Sequence, residues 1–399
     1  MDHPESPDPG KVKDLLFTLS ETGTPRSGTA GVIDVGTGQF VDTVEKEVVD
    51  EYIARGGSTC MFIQGSHGSG KSHILQLIED RALGEGFVVC RIELGEDLGF
   101  ERWDQITKHF LENCYIRFGD RHIRNLPRIM EYLGDEGLVD LADFERTQMV
   151  HPCFKRAIQH AIDRSDLDEE AWRVLYRYLL GERVLVRDLR DAGLKGVRKS
   201  LTQNNAEQVL NTALNSIHCL GFRGVILLFD ETDRNWLSSR KPTPRAVRIA
   251  ANLIRRFIDS CSTGEIHGTL AVFAVLPNFI RDCMDCYPAL GQRLEFQREN
   301  DGRIAWRWPI LPVNGANSLF MNIDDPFEQR RIFLDNAKVR FRDLVEICGG
   351  TTDGIEEEFE ERGLSELKKW AGEEYKRAII KILASLSIAR IDEGDVDPA

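Results

Sequence analysis

Eight consecutive residues, Gly65, Ser66, His67, Gly68, Ser69, Gly70, Lys71 and Ser72, have the types and spacing for one kind of chemistry. They read G-x-x-x-x-G-K-[ST], a loop whose glycines let the backbone curl until successive N–H groups converge on one anion. Lys71 is expected to reach the β- and γ-phosphates of a nucleotide, and the Ser72 hydroxyl to ligate Mg²⁺, so ATP and Mg²⁺ are the implied cofactors. His73 follows directly and joins the expected nucleotide-binding set. A Gly/Ser turn with no ligand is the competing reading. The flanks favour the phosphate loop: Cys60 to Gln64 is a short apolar run, and Ser72 to Leu83 places Ile74, Leu75, Leu77 and Ile78 on one helical face. The positive end of that helix dipole adds to an anion site.

A second constellation closes the run Gly224-Val225-Ile226-Leu227-Leu228-Phe229-Asp230-Glu231. An unbroken apolar run of this length is a strand buried on both faces. Asp230 is expected beside Ser72, holding Mg²⁺ directly or through water, with Glu231 as the general base that polarises water. A polar strand terminus is the plain alternative. A third apolar strand, Gly268 to Val275, leads to Leu276-Pro277-Asn278, where Asn278 reads either as a γ-phosphate sensor or as a turn residue. Arg293 reads either as an arginine that stabilises charge in a neighbouring subunit's site, which implies a homo-oligomer, or as a salt-bridging surface arginine. Cys283 and Cys286 form a lone C-x-x-C. Structural zinc needs four ligands, so two ordinary cysteines are the simpler reading.

Around these residues the chain reads as α/β. An amphipathic helix carries Val12, Leu15, Leu16 and Leu19; a turn-rich stretch runs from Thr22 to Gly31; a helix from Phe40 to Arg55 ends at Gly56-Gly57. Phe87 to Leu94 is a strand after the loop helix, so strand, helix and strand make a βαβ unit and a central parallel sheet is expected. Residues from about 100 to 215 show no strong strand and read as a large helical insertion, including one helix over Trp103 to Phe118. Two of its stretches are basic, one with Arg117, Arg121, Arg124 and Arg128, the other with Arg187, Arg190, Lys195, Arg198 and Lys199; a solvated face and a partner or nucleic-acid surface are both open. From about residue 310 to 399 the reading is a small, mostly helical domain, and the acidic run Glu356 to Glu361 reads as solvated surface. The resulting division is 1–57, a disordered start followed by helices; 58–305, the phosphate-loop core with its insertion; and 306–399, a small helical or winged-helix-like domain.

Bulk properties bound this reading. The 399 residues include 51 basic and 65 acidic side chains, a net charge of −14, which argues against a general nucleic-acid coat but leaves room for a local basic groove. No apolar run approaches the ~20 residues that span a membrane. Met1 to Gly10 is acidic and proline-rich, unlike a signal peptide, so the expectation is a cytoplasmic protein without membrane contact, its nine cysteines reduced.

Taken together, the residues resemble the BREX-system ATP-binding proteins. Thr24-Pro25-Arg26-Ser27-Gly28 leading to Asp34-Val35-Gly36, Gly68 to His73, and Gly86 to Val89 are similar to that family's N-terminal and phosphate-loop signatures. Gly221 to Gly224 before Phe229-Asp230-Glu231, Pro277-Asn278-Phe279, and Tyr287-Pro288-Ala289-Leu290 through Arg293-Leu294 are similar to its later motifs. The family usually reads Thr-Pro-Glu where this chain has Leu276-Pro277-Asn278. The resemblance implies a role in bacterial anti-phage defence beside a partner helicase. On this reading the protein is an AAA+-like P-loop ATPase that couples its nucleotide state to assembling or loading that helicase on DNA. A nucleotide-dependent switch or scaffold with negligible turnover is the alternative, and a small-molecule kinase is the third.

Overall fold

The computed structural model describes residues 8–25, 28–94, 98, 102–119, 121–139, 141–230, 244–291, 293, 318–323, 330–369 and 374–394. The chain gathers into two compact units, one of Met1–Val44, Gln64–Asp80 and Asn322–Ala399, the other of Glu45–Ile63 and Arg81–Met321. This grouping follows a different division from the linear one at 57/58 and 305/306.

The second unit is built on a sheet. Its strands are β1 (Ser58–Gln64), β2 (Val88–Glu93), β3 (Tyr115–Phe118), β4 (Arg121–Arg124), β5 (Val225–Asp230), β6 (Thr269–Val275) and β7 (Ser318–Asn322), in the order β4-β3-β2-β5-β6-β1-β7. β2 and β5 are parallel, as are β5 and β6. The Thr269 N–H donates to the Ser58 hydroxyl (3.1 Å), and four residues on in each strand Phe62 stacks on Phe273 with centroids 5.2 Å apart. Equal steps in the same sense make β1 parallel to β6. The expected parallel centre is therefore present, and the strands β1, β5 and β6 are buried along their whole length, as expected where both faces are covered. Phe229 also stacks on Phe273 at 4.5 Å, so three rings run across β1, β6 and β5.

Helices make up most of the remaining chain. In chain order they are α1 (Pro9–Thr22), α2 (Gly38–Thr43), α3 (Lys71–Gly84), α4 (Trp103–Asn113), α5 (Leu126–Asp135), α6 (Leu141–Arg146), α7 (Pro152–Ile162), α8 (Glu169–Leu179), α9 (Val186–Asp191) and α10 (Ala206–Cys219). Then come α11 (Pro244–Ser262), α12 (Phe279–Cys286), α13 (Pro288–Gly291), α14 (Arg330–Ile347), α15 (Ile355–Lys369) and α16 (Tyr375–Gly394). The helix expected over Phe40 to Arg55 is α2 followed by a π-helix, Val44–Ile53.

The insertion needs one correction. The helix expected over Trp103 to Phe118 stops at Asn113, and Tyr115–Phe118 and Arg121–Arg124 form an antiparallel hairpin that joins the sheet edge through Val89 and Tyr115. Tyr115, Ile116 and Phe118 are aromatic and β-branched residues suited to a strand, and that preference outweighs the helical one once β2 offers an open edge. Ile116 packs into the core while Arg117, Arg121 and Arg124 stay exposed.

In the first unit, α1, α14, α15 and α16 share a core of Val12, Leu15, Leu16 and Leu19 with Leu334, Phe341, Phe359 and Leu383. The acidic run lies on α15, where Glu356, Glu357 and Glu361 are exposed as expected while Glu358 and Glu360 are half-buried. Phe359 is fully buried there, Glu358 accepts from Arg390 (2.7 Å), and Glu360 pairs with Arg331 and Lys338. No described helix is long and apolar enough to cross a membrane.

The stacked rings set an expectation for stability. Phe273→Ala removes the middle ring and leaves a cavity, which costs about 3–5 kcal/mol. Urea unfolding followed by circular dichroism checks this, and a midpoint within error of the wild type contradicts it.

Candidate functional site

The phosphate-binding loop has the curled backbone its sequence calls for. Gly68 and Gly70 hold φ values of +70° and +106°, a region that L side chains rarely adopt. The Ile74 N–H donates to the Gly70 carbonyl (3.0 Å), which starts α3 at Lys71. The Lys71 ammonium donates to the carbonyls of Gly65 (2.7 Å) and Ser66 (2.9 Å), tying the end of the loop to its beginning. This fixes a positive charge against the loop backbone.

Close packing also disfavours a side chain at Gly65 and again at Gly68. A Cβ on Gly65 would run into the Ser69 hydroxyl and lie 2.7 Å from Ile323 Cγ1. One on Gly68 would lie 2.6 Å from the Cα of Glu374. The backbone is also pinned from outside: the Ile323 N–H donates to the Gln64 carbonyl (2.8 Å) and the Glu374 N–H to the His67 carbonyl (2.9 Å). Within this frame the Ser69 hydroxyl is buried without a hydrogen-bond partner among the described residues. Buried hydroxyls are almost always paired, so an orphan inside a glycine cradle beside a lysine fits an anionic ligand. The chain's own residues therefore suit a nucleotide's phosphates.

The residue after Ser72 is braced by the N-terminal signature. His73 Nε2 lies 3.5 Å from Asp34 Oδ1, and the same carboxylate accepts from the Thr37 N–H (3.3 Å) and hydroxyl. Further along α3, Asp80 accepts from the Gly28 N–H (3.0 Å). Burial pushes the Asp34 carboxyl up, but its hydrogen bonds from His73 and Thr37 and the His73 charge outweigh this and hold it below its ordinary value.

In the sheet unit, Asp230 ends β5 and is buried, with its Oδ2 2.6 Å from Arg91 Nη2. Arg91 sits two residues before Glu93, which is opposite Asp230 in the parallel register. The pair fixes the direction of the carboxylate. Asn278 follows β6 at the same carboxyl edge as Asp230, because β5 and β6 are parallel, and it is exposed. It makes no side-chain capping bond to α12. Arg293 is engaged locally, with Nε 3.0 Å from Asp259 Oδ1 and Nη1 3.3 Å from the Ala289 carbonyl. Glu231 lies outside the described residues. Cys283 and Cys286 sit on α12, and burial pushes the Cys283 thiol well up, which suits a core cysteine. Among the described residues no three His, Cys, Asp or Glu side chains gather as a metal site. A metal shared with phosphates takes only one or two protein ligands, so the role expected of Ser72 and Asp230 calls for no such cluster.

Sequence reasoning missed two participants. Arg91 is a lone charge after the apolar run Val88-Val89-Cys90, and that misfit was the available signal. Glu374 acts through its backbone, with φ +70°, and no side-chain pattern announces it.

A family model described as BREX system ATP-binding protein BrxC/D matches residues 9–133 and 135–309. No curated protein and no solved structure matches the chain. The matched span holds the phosphate loop, Asp34, Arg91, Asp230, Asn278 and Arg293, and stops short of Glu374 and α16.

The Asp34 brace has a pH signature. A carboxyl held below its unfolded value stabilises the fold fully above the ordinary carboxylate pKa of about 3.9, and that stabilisation is lost as pH falls through the lower native value. Asp34→Asn should cost about 1 kcal/mol at neutral pH, with the gap to wild type narrowing below pH ~4. Thermal melts across pH read this directly, and a gap that does not change with pH contradicts it.

Proposed function

Because the chain belongs to the family of BREX system ATP-binding proteins BrxC/D, we propose that it binds and hydrolyses ATP in an AAA+-like phosphate-loop site serving anti-phage defence. The observation that carries this reading is the glycine-curled loop closed by Lys71 around an orphaned Ser69 hydroxyl. Backbone N–H groups from Ser66 to Ser72 bind the phosphates and Lys71 offsets their charge. Ser72 and Asp230 would hold Mg²⁺, which when bound would supply charge to offset that on the phosphate oxygens. Arg91 keeps the Asp230 carboxylate oriented. Glu231 aligns and deprotonates the attacking water, and Asn278 reports on the γ-phosphate.

Arg293 completes the site of a neighbouring copy, which requires it to exchange Asp259 for a phosphate. The assembled form is then a homo-oligomer in the cytoplasm, and its nucleotide state governs the assembly or loading of a partner helicase on DNA. A second reading, a nucleotide-held switch with negligible turnover, draws support from the Arg91–Asp230 pair, because the guanidinium competes with a metal for that carboxylate.

Two substitutions test the assignment. Lys71→Ala should abolish ATP binding in calorimetry, and unchanged affinity rejects the phosphate-cradle role. Glu231→Gln should keep binding while phosphate release drops by two orders of magnitude or more, about the scale of general-base catalysis. Wild-type turnover in that variant removes Glu231 as the base, and a wild-type protein that binds ATP without releasing phosphate favours the switch.

A further inference from the structure

The segment from Arg183 to Lys199 is a run of positive charge that the phosphate-loop chemistry does not use. It carries six basic and two acidic side chains in a chain whose net charge is −14. Its ends are clamped: Ser200 Oγ accepts from the Val184 N–H (3.0 Å) and donates to the Val184 carbonyl (2.8 Å). The Tyr178 hydroxyl donates to the Arg198 carbonyl (2.8 Å). Leu189, Leu194 and Val197 are buried and anchor the segment from below. The charged residues between them are thereby forced outward.

Arg183, Arg190, Lys195, Arg198 and Lys199 are all exposed. Among the described residues none of the five forms an ion pair, although carboxylates outnumber cations in this chain; only Arg187 is paired, with Asp188 at 3.2 Å. Arg156 of α7 lies along the same surface, its Cγ 3.4 Å from where a Cβ on Gly196 would stand, and it too has no ion pair among the described residues. Lys199 is near enough to His151 that its charge, after burial, helps to push the imidazole below its ordinary value. Leu185 and Val186 are exposed at one end, 47% and 52%; apolar side chains beside basic ones suit sugar and base-step contact.

We propose that this clamped segment, with Arg156, is a docking surface for the phosphate backbone of DNA. Fixed, unpaired guanidinium and ammonium groups on a rigid base bind a polyanion with little ordering cost and release its counterions. An acidic chain repels DNA elsewhere, so a positive island of this kind is where contact is electrostatically allowed. The hairpin arginines Arg117, Arg121 and Arg124 are a weaker choice, because charges on an edge strand also serve to block strand pairing.

The test uses the full chain and a fluorescent DNA duplex, with binding read by anisotropy between about 50 and 200 mM salt. Wild type should bind with strong salt dependence. Arg190→Glu, Lys195→Glu and Arg198→Glu combined should lose at least about tenfold in affinity and flatten the log–log salt slope by roughly 0.9 for each phosphate no longer neutralised. The corresponding Arg→Glu change at Arg117, Arg121 and Arg124 should bind as wild type does. Calorimetry with a non-hydrolysable ATP analogue on the same variants keeps this result separate from the nucleotide site, and the Gln version of the triple variant serves if the Glu version does not fold. Equal DNA affinity in the segment variant overturns the proposal, as does loss in the hairpin variant alone. A wild type that ignores DNA overturns it too, and binding to poly-glutamate in that case assigns the segment to an acidic protein.

Discussion

One ammonium group donating to carbonyls five and six residues behind it closes the phosphate-binding loop. That closure works only because the chain between can turn through left-handed dihedrals. An L side chain in that region costs roughly 1–2 kcal/mol, and at Gly68 it would also strike the Glu374 backbone. The loop's geometry is therefore a property of glycine positions and one long cation, and every chemical role assigned to Ser66 through Ser72 inherits it.

The loop is also held from sequence-distant segments. Ile323 and Glu374 donate backbone N–H groups to carbonyls at its start and within it, and Asp34 and Gly28 engage α3 through His73 and Asp80. Such contacts remove alternative loop conformations before any ligand arrives, which is the economy of preorganisation. In the sheet unit a comparable arrangement exists at Asp230, where Arg91 fixes a buried carboxylate. Removing one partner of a buried pair leaves the other uncompensated, at about 3–5 kcal/mol, so Arg91 matters to β5 whether or not turnover occurs.

Much of this was legible in the sequence because the relevant signals are local. The loop pattern, the apolar strands β1, β2, β5 and β6 and the face of α1 follow from spacing alone. What stayed hidden depends on partners distant in the chain. Tyr115–Phe118 and Arg121–Arg124 became strands because β2 left an edge open, and Glu358 and Glu360 of α15 became ion-paired because α14 and α16 present arginines and a lysine to them. Arg91 could be noticed as a charge among apolar neighbours, but its role needed the register that sets Glu93 opposite Asp230. The backbone bond from Glu374 had no side-chain signature at all.

The most direct measurement is an experimental structure of the chain with Mg²⁺ and a non-hydrolysable ATP analogue. The account predicts phosphates lying along the N–H groups of Ser66 to Ser72, Lys71 reaching the β- and γ-phosphates, a hydrogen bond for the Ser69 hydroxyl, and Ser72 and Asp230 on one metal ion. A nucleotide bound elsewhere, or a loop that excludes the triphosphate, would contradict it.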